Sequence, residues 1–161
     1  GRDRGIFEHK NRVYRVIGEK LNEVLNDGTH TELGDIAGSE RCIISGIADS
    51  IIVVTHGNVY IYDGSTVELI NDSDLESPSS CAHLNNQIIY DGNNGRFVVS
   101  EVGEAGNING LSYASAESNA DDLKRVFVFE ETLFLFGDKT TERWWNSGEG
   151  KTGFGRIQGG T

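Results

Sequence analysis

The sequence lacks methionine, has a single proline, Pro78, and contains only two cysteines. One proline excludes a Pro-rich linker, and 21 glycines without a fixed Gly-x-y period exclude collagen. Cys42 and Cys81 are too few for a disulfide framework, and each lies in an apolar stretch, so we expect two buried free thiols and a reducing compartment. The absence of an initiator methionine agrees with a fragment excised from a longer protein.

Positive charge and long apolar runs are also in short supply. The 161 residues include 14 Lys and Arg against 25 Asp and Glu, which gives a net charge of −11. Because such a surface repels phosphate backbones, we expect no tight sequence-specific binding of nucleic acid. No apolar run approaches the roughly 18 residues of a membrane helix, so no membrane partner is expected. The start, Gly1-Arg2-Asp3-Arg4, has no apolar core that would direct export.

What the chain does contain is a series of short apolar or alternating runs separated by Gly, Asp and Asn. Val59-Tyr60-Ile61-Tyr62, then Asp63-Gly64, then an alternating run at 67–70 predict a strand, a tight turn and a second strand. We expect a type I′ turn at Asp63-Gly64, since this turn needs positive φ at both central residues. The same layout predicts hairpins after 13–16, after 87–90 through Asp91-Gly92, and after 133–136.

Two segments each fit four successive strands. The strands are predicted at 42–45, 51–55, 59–62 and 67–70 in the first segment, and at 126–129, 132–136, 140–145 and 154–157 in the second. Four-stranded units with periods near 40 to 45 residues are typical of propeller blades. We therefore predict an all-β fold of β-propeller-like antiparallel four-stranded sheets, forming a partial or complete propeller. The expected organisation is a single domain, 1–161, of about four units at roughly 5–36, 37–72, 73–113 and 114–161.

Helix is weakly indicated at two places. Residues 17–25 have apolar i, i+3 and i+4 spacing, but Gly18 and Asn26-Asp27-Gly28 favour a hairpin there. Residues 114–122 are small and polar, which predicts an exposed connection with at most one helical turn.

Motifs for catalysis and for cofactors are not matched. The histidines are unpaired at any metal-ligand spacing, no Gly-x-Ser-x-Gly elbow is present, and the loop at 148–152 lacks the phosphate-loop spacing. The Asp-Gly dipeptides predict turns rather than calcium loops, because Asn71-Asp72-Ser73-Asp74 lacks a closing bidentate acid. Glu130-Glu131 is expected at a solvated hairpin tip. We predict no catalytic, cofactor or metal residues, and no enzyme activity.

Six aromatic residues fall in one predicted blade, and they form the most informative patch. Phe127 and Phe129 share one strand face, as do the phenylalanines at 134 and 136, and we expect these rings to pack between sheets. Trp144 and Trp145 are adjacent, so they point to opposite faces of a regular strand. One of the two tryptophans can belong to the core, while the other is either an anchor for a partner or buried against a next blade. The candidate partner-interface residues are Trp144, Trp145, Phe154 and Arg156.

Several stretches share the order and spacing of one known family, and they cover nearly the whole chain. They are Val13-Tyr14-Arg15-Val16, Gly34-Asp35-Ile36-Ala37-Gly38-Ser39, Val59-Tyr60-Ile61-Tyr62-Asp63-Gly64, Tyr113-Ala114-Ser115-Ala116-Glu117-Ser118, Leu133-Phe134-Leu135-Phe136-Gly137, Thr140-Thr141-Glu142-Arg143-Trp144, Asn146-Ser147-Gly148 and Phe154-Gly155-Arg156-Ile157-Gln158-Gly159. The combination resembles the packaged-DNA stabilisation proteins, or tail accessory factors, of short-tailed bacteriophages. It departs from that family at Asn119-Ala120-Asp121, where relatives often have a proline.

The resemblance implies a virion structural protein of the phage tail, assembled in the host cytoplasm. Such head-to-tail connectors close the portal channel, keep packaged DNA from leaking, and join the portal to the tail needle and tailspikes. They are β-propeller-like and assemble as rings, so the implied partners are the portal protein, tail needle and tailspike proteins, and further copies. Family members are much longer, so we expect an amino-proximal fragment.

Two other functions stay open at the sequence level. An exposed Trp144 or Trp145 could stack on a ligand, which suggests a carbohydrate- or peptide-binding β-propeller module. A propeller hydrolase would need two carboxyls held about 5 to 9 Å apart across a cleft.

Overall fold

The computed structural model describes residues 1–116 and 122–158, and its regular elements are strands. The predicted all-β class is confirmed, and so is the hairpin, rather than a helix, at 17–25. Residues 117–121 of the predicted connection, and Gly159 of the family-like stretch, lie outside the described residues. In the described part of the chain, no helix is long and apolar enough to cross a membrane.

Sixteen strands form four antiparallel sheets of four strands each, and within every sheet the strands follow one another in chain order. The first sheet contains β1 (Asp3–His9), β2 (Arg12–Ile17), β3 (Lys20–Val24) and β4 (His30–Asp35). The second contains β5 (Ile43–Ile47), β6 (Ser50–Val54), β7 (Val59–Tyr62) and β8 (Val67–Leu69). The third contains β9 (Cys81–Leu84), β10 (Gln87–Asp91), β11 (Arg96–Glu101) and β12 (Glu104–Ser115). The fourth contains β13 (Leu123–Phe129), β14 (Thr132–Gly137), β15 (Thr141–Asn146) and β16 (Phe154–Arg156).

The sheets pack face to face in sequence. One buried cluster joins the first and second sheets, another joins the second and third, and another joins the third and fourth. The innermost strands β1, β5, β9 and β13 contact one another in that order. Among the described residues, no buried cluster joins the fourth sheet to the first, so the sheets form an open arc of a propeller.

Strand β6 shows how the sequence produces this stacking. Its apolar run is buried throughout, but alternation divides the run between two cores. Ile51 and Val53 face the first sheet, whereas Ile52 and Val54 face the third. A continuous apolar run is therefore the pattern of an inner sheet that is covered on both sides.

The hairpin turns differ in part from the sequence expectation. The type I′ prediction at Asp63-Gly64 is wrong, since only Gly64 has a positive φ there (99°). The Asp63 carboxylate instead accepts bonds from the backbone N–H groups of Ser65 and Thr66, both at 2.8 Å, and organises a longer loop. These bonds lower the pKa of Asp63 to about 2. Pairs of positive φ occur at the tips after β1, β9 and β13, namely Lys10-Asn11, Asn85-Asn86 and Glu130-Glu131.

Asp91 is not a turn residue as the Asp91-Gly92 pattern predicts. It ends β10 and is buried, and its Oδ1 accepts bonds from the backbone N–H groups of Ser79 (2.8 Å) and Ser80 (2.7 Å). The Ser80 hydroxyl in turn accepts a bond from the Val126 N–H, at 2.9 Å. Asp91 thus helps to fix the start of β9 against β13.

Candidate partner interface

Trp144 lies in the core between the third and fourth sheets and is 7% exposed. Its ring meets Phe97 edge-on, with centroids 5.3 Å apart, and its Nε1 donates a 2.9 Å bond to Oε2 of the buried Glu142. Phe154 is buried in the same cluster. In this fold Trp144 and Phe154 hold the fourth sheet against the third and present little surface to a partner.

Arg156 lies on the same side of the sheet as Trp144 and pairs with it across β15 and β16. Its Nε is 3.6 Å from Glu142 Oε2, and about one third of its side chain is exposed (34%). The pair has one member in the core and one reaching solvent, so Arg156 is accessible at the rim of the sheet.

Trp145 points to the opposite side of the sheet and is 51% exposed. It pairs with Gly155, and its indole lies over this residue, which has no side chain. Of the four candidate residues, Trp145 therefore presents the largest apolar surface to solvent. Contact of any of the four with a partner remains a prediction.

The other aromatic rings of the fourth sheet share this side with Trp145. Phe127, Phe129 and Phe136 are exposed, and Phe134 stacks on Phe136 with centroids 6.2 Å apart. Among the described residues no sheet packs on this side, so the packing of these phenylalanines between sheets stays a prediction. We call this surface the aromatic face and define it by Arg125, Phe127, Phe129, Phe134, Phe136, Arg143 and Trp145.

Strand register explains why the aromatic face also carries positive charge. Phe127 pairs with Phe134 and Phe134 with Arg143, while Arg125 pairs with Phe136. Directly paired residues point to the same side of a sheet, so both arginines lie among the rings. A sequence pattern of aromatic residues does not reveal these two arginines. The alternation of Arg125, Phe127 and Phe129 does place Arg125 on this side.

The uncovered side of the first sheet is different in character. Its exposed apolar residue is Ile6, at 68%, and its other exposed side chains are polar or charged. We call it the charged face. It carries the acids Asp3, Glu8, Glu32 and Asp35 and the bases Arg15 and Lys20.

Ion pairs order the charged face. Arg15 donates two bonds to the Asp3 carboxylate, and these hold the pKa of Asp3 below its usual range. The Lys20 ammonium lies 2.7 Å from Glu32 and 2.8 Å from Asp35, and its bonds to Asp35 and Glu32 raise the pKa of Lys20. After these pairs are formed, the face keeps a net negative charge.

Metal and thiol chemistry have little support in the described ranges. Within 1–116 and 122–158, no three His, Cys, Asp or Glu side chains are grouped to hold a metal ion. Cys42 and Cys81 are free and buried, as predicted, and burial raises the pKa of both thiols.

Comparison with known proteins identifies the family to which this chain is similar. The model of a family described as bacteriophage P22 Gp10, beta-propeller, matches residues 1–161. No curated protein matches the sequence.

Solved structures resemble the chain in fold. One is YCF48 bound to D1 peptide, with 11% identity and a TM-score of 0.70 over 98% of this chain and 53% of that chain. Another is BamB from Moraxella catarrhalis, with 16% identity and a TM-score of 0.66 over 90% of this chain and 44% of that chain. Virginiamycin B lyase from Staphylococcus aureus gives 12% identity and a TM-score of 0.66 over 96% of this chain and 55% of that chain. This chain spans about half the length of these structures, and the similarity shows the β-propeller fold alone.

Proposed function

Since the chain belongs to the phage stabilisation family described as bacteriophage P22 Gp10, beta-propeller, we propose that it is a virion structural protein rather than an enzyme and that it acts at the phage tail. In this role it stabilises packaged DNA by closing the portal channel, and it connects the portal to the tail needle and tailspikes. Its working parts are surfaces that bind neighbouring proteins.

The aromatic face of the fourth sheet is the observation that carries this proposal. Phe127, Phe129, Phe136 and Trp145 are each exposed by at least about a third, on one side of one sheet. Large exposed apolar patches mark interaction surfaces, and tryptophan and arginine are enriched among the residues that contribute most to binding. The tryptophan that anchors a partner in this proposal is Trp145.

Charge complementarity favours a second copy of this chain as the occupant. The aromatic face carries Arg125 and Arg143 and no acid on its strands, whereas acids outnumber bases on the charged face. Packing the charged face of one copy on the aromatic face of the next is a head-to-tail contact, which generates a ring when the rotation closes. Self-association of this kind fits a protein that surrounds a channel.

The acidic surface supports a position of this chain beside DNA that moves through the tail channel. With a net charge of −11, the chain as a whole repels the phosphate backbone and lowers friction against it. Firm binding of duplex DNA in a low-salt gel shift would contradict this part of the proposal.

Sedimentation velocity over a concentration series tests the self-association. We expect the wild-type chain to form larger species as concentration rises, and Phe129→Glu to remain monomeric because it places a charge among the rings. Leu111→Glu is the matched control, since Leu111 is 68% exposed but lies on β12, away from both faces. A wild-type chain that stays monomeric at every concentration, alone and with portal protein, would contradict the proposal.

A charge exchange sharpens the same test. Arg143→Glu is expected to weaken association, and adding Glu8→Arg in the same chain is expected to restore part of it. If the double variant associates no better than the single variant, the charged face is not the surface that meets the aromatic face.

Trp145 also supports a second function, a carbohydrate- or peptide-binding module. Its exposed indole over Gly155 offers a flat stacking surface. In that case Trp145→Ala abolishes binding of an oligosaccharide or peptide, while the oligomeric state of the chain in sedimentation velocity stays unchanged.

A further inference from the structure

A cavity of about 700 Å³ lies where the innermost strands of the four sheets begin. Residues from all four sheets line it: Asp3 and Arg4 of β1, Arg41 just before β5, Ser79 just before β9, and Arg125 of β13. Its size is in the range of small-molecule sites, which hold about 300 to 1,000 Å³. Arg125 also belongs to the aromatic face, whereas Trp145 and the phenylalanines of that face do not line the cavity.

The lining of this cavity has the opposite charge to the protein. Four arginines, Arg4, Arg15, Arg41 and Arg125, face it together with one acid, Asp3. The whole chain has 25 acids against 14 bases. A positive cavity in a strongly acidic chain needs an explanation other than composition.

Two of the four arginines already form hydrogen bonds or an ion pair within the protein. Arg4 is 2% exposed, and its guanidinium donates to the carbonyls of Glu40 (2.7 Å), Gly18 (2.9 Å), Ile36 (2.7 Å) and Ala37 (3.0 Å). Arg15 is bound by Asp3. Arg4 therefore supplies a fixed positive charge, and Arg15 is largely neutralised by its partner.

Arg41 and Arg125 are the available groups. Both are exposed, and neither guanidinium forms a hydrogen bond or ion pair with another residue among 1–116 and 122–158. Arg41 precedes β5 of the second sheet and Arg125 belongs to β13 of the fourth, so two different parts of the fold supply them. The Ser79 hydroxyl donates its hydrogen bond to Asp91 Oδ2 and therefore does not donate to a ligand.

We propose that this cavity binds a compact phosphate-type oxyanion between Arg41 and Arg125. Guanidinium groups bind phosphate through paired N–H donors. A tetrahedral phosphate presents oxygens in several directions and suits donors that converge from two sheets, whereas a carboxylate presents one planar edge. The acidic exterior disfavours an extended polyanion that would have to lie along it, whereas a small oxyanion would contact only the arginine-rich cavity.

Calorimetric titration of the 161-residue chain with inorganic phosphate and pyrophosphate, at constant ionic strength, tests the proposal. We expect saturable binding that Arg41→Gln weakens by about tenfold or more, as expected for the loss of a charge-assisted pair. Arg12→Gln is the matched control, because Arg12 is exposed, carries an equal charge outside the cavity and lies on neither uncovered face, so this change should leave the affinity unchanged. Arg41 lies on neither uncovered face, so a loss of binding by Arg41→Gln is independent of self-association.

Three results would overturn the proposal. The first is the absence of saturable binding by the wild-type chain, and the second is equal weakening by Arg41→Gln and Arg12→Gln. The third is binding of acetate or an acidic peptide with no binding of phosphate, which would make the cavity a carboxylate site. Thermal melting of each variant separates loss of binding from loss of folding.

Discussion

The uncovered face of the first sheet and that of the fourth arise from the same strand alternation, yet they are filled with different residues. On the first sheet, alternate positions carry Glu8 and the Asp3–Arg15 pair, which stay hydrated. On the fourth sheet the uncovered side is the opposite one, because Phe127 has the register position of Phe7, which packs toward the second sheet, and this side carries rings such as Phe127 and Trp145. Backbone pairing thus builds both ends alike, and the side chains decide which end water can cover and which end favours another protein.

The largest effect is expected within the fourth sheet, at its two adjacent tryptophans. Trp144→Ala removes a buried ring that packs on Phe97 and leaves the Glu142 carboxylate without its indole donor. We expect a loss of about 3 to 5 kcal/mol in the free energy of unfolding, measured by urea denaturation. Trp145→Ala, on the aromatic face, should change it by less than about 0.5 kcal/mol. Similar losses for both variants would show that the aromatic face is covered in the folded chain.

The first sheet depends on a buried cation rather than on a ring. Arg4→Met leaves four carbonyl groups without their shared donor, and three of them, those of Gly18, Ile36 and Ala37, lie in the first sheet and the segment that follows it. We expect a loss of about 3 kcal/mol in the same urea measurement. Arg15→Met, on the charged face, is the control and should have a small effect because its pair with Asp3 is exposed to solvent. If Arg4→Met is as mild as this control, the buried guanidinium does not hold the first sheet together.

The two end sheets also differ at the tips of their first hairpins. The second turn residue has a φ of 60° in both sheets, at Asn11 and at Glu131. Asparagine tolerates this left-handed backbone, whereas glutamate does not. Glu131→Gly should therefore stabilise the chain by about 1 kcal/mol, and Asn11→Gly by clearly less. Thermal melting of the two variants side by side measures the difference, and an equal gain would remove strain as its cause.

The smallest effect concerns acid, to which the two faces should respond differently. Bonds from Arg15 lower the pKa of Asp3 in the folded chain, so this pair stabilises the fold above the ordinary aspartate pKa of about 3.9. The contribution is lost as the pH falls through the lowered value. Asp3→Asn should flatten the decline of the urea midpoint between pH 5 and pH 2, whereas Arg143→Gln should leave that decline unchanged. If the urea midpoint falls equally with pH in wild type and in Asp3→Asn, groups other than the Asp3–Arg15 pair cause the acid sensitivity.

The sequence pattern predicts some strands residue by residue and misses others. Strand β7, Val59–Tyr62, is predicted with its observed limits because a short apolar run is bounded by turn residues on both sides, Gly57-Asn58 and Asp63-Gly64. Strand β12, Glu104–Ser115, is not predicted, since its glycines and asparagines have low strand propensity and its pairing with β11 is irregular. Pairing with the neighbouring strand, rather than its own composition, makes this segment extended.

The candidate site was only partly predictable for a related reason. Adjacent residues point to opposite faces, so Trp144 and Trp145 can be separated from the sequence. Which of them is buried depends on the side where the third sheet packs, and that is a property of the tertiary structure. The burial of Arg4 is likewise invisible in the sequence, because its partners are carbonyl groups from four separate positions.

The stacking of sheets one after another determines how the fold tolerates the addition or removal of a sheet. The most extensive contacts between the described sheets join successive sheets, so the free energy of unfolding is close to a sum over sheets and the junctions between them, as in a one-dimensional array. A terminal sheet has one junction instead of two and should fray first in amide exchange. Whole sheets can therefore be gained or lost at an end without rearranging the remaining cores.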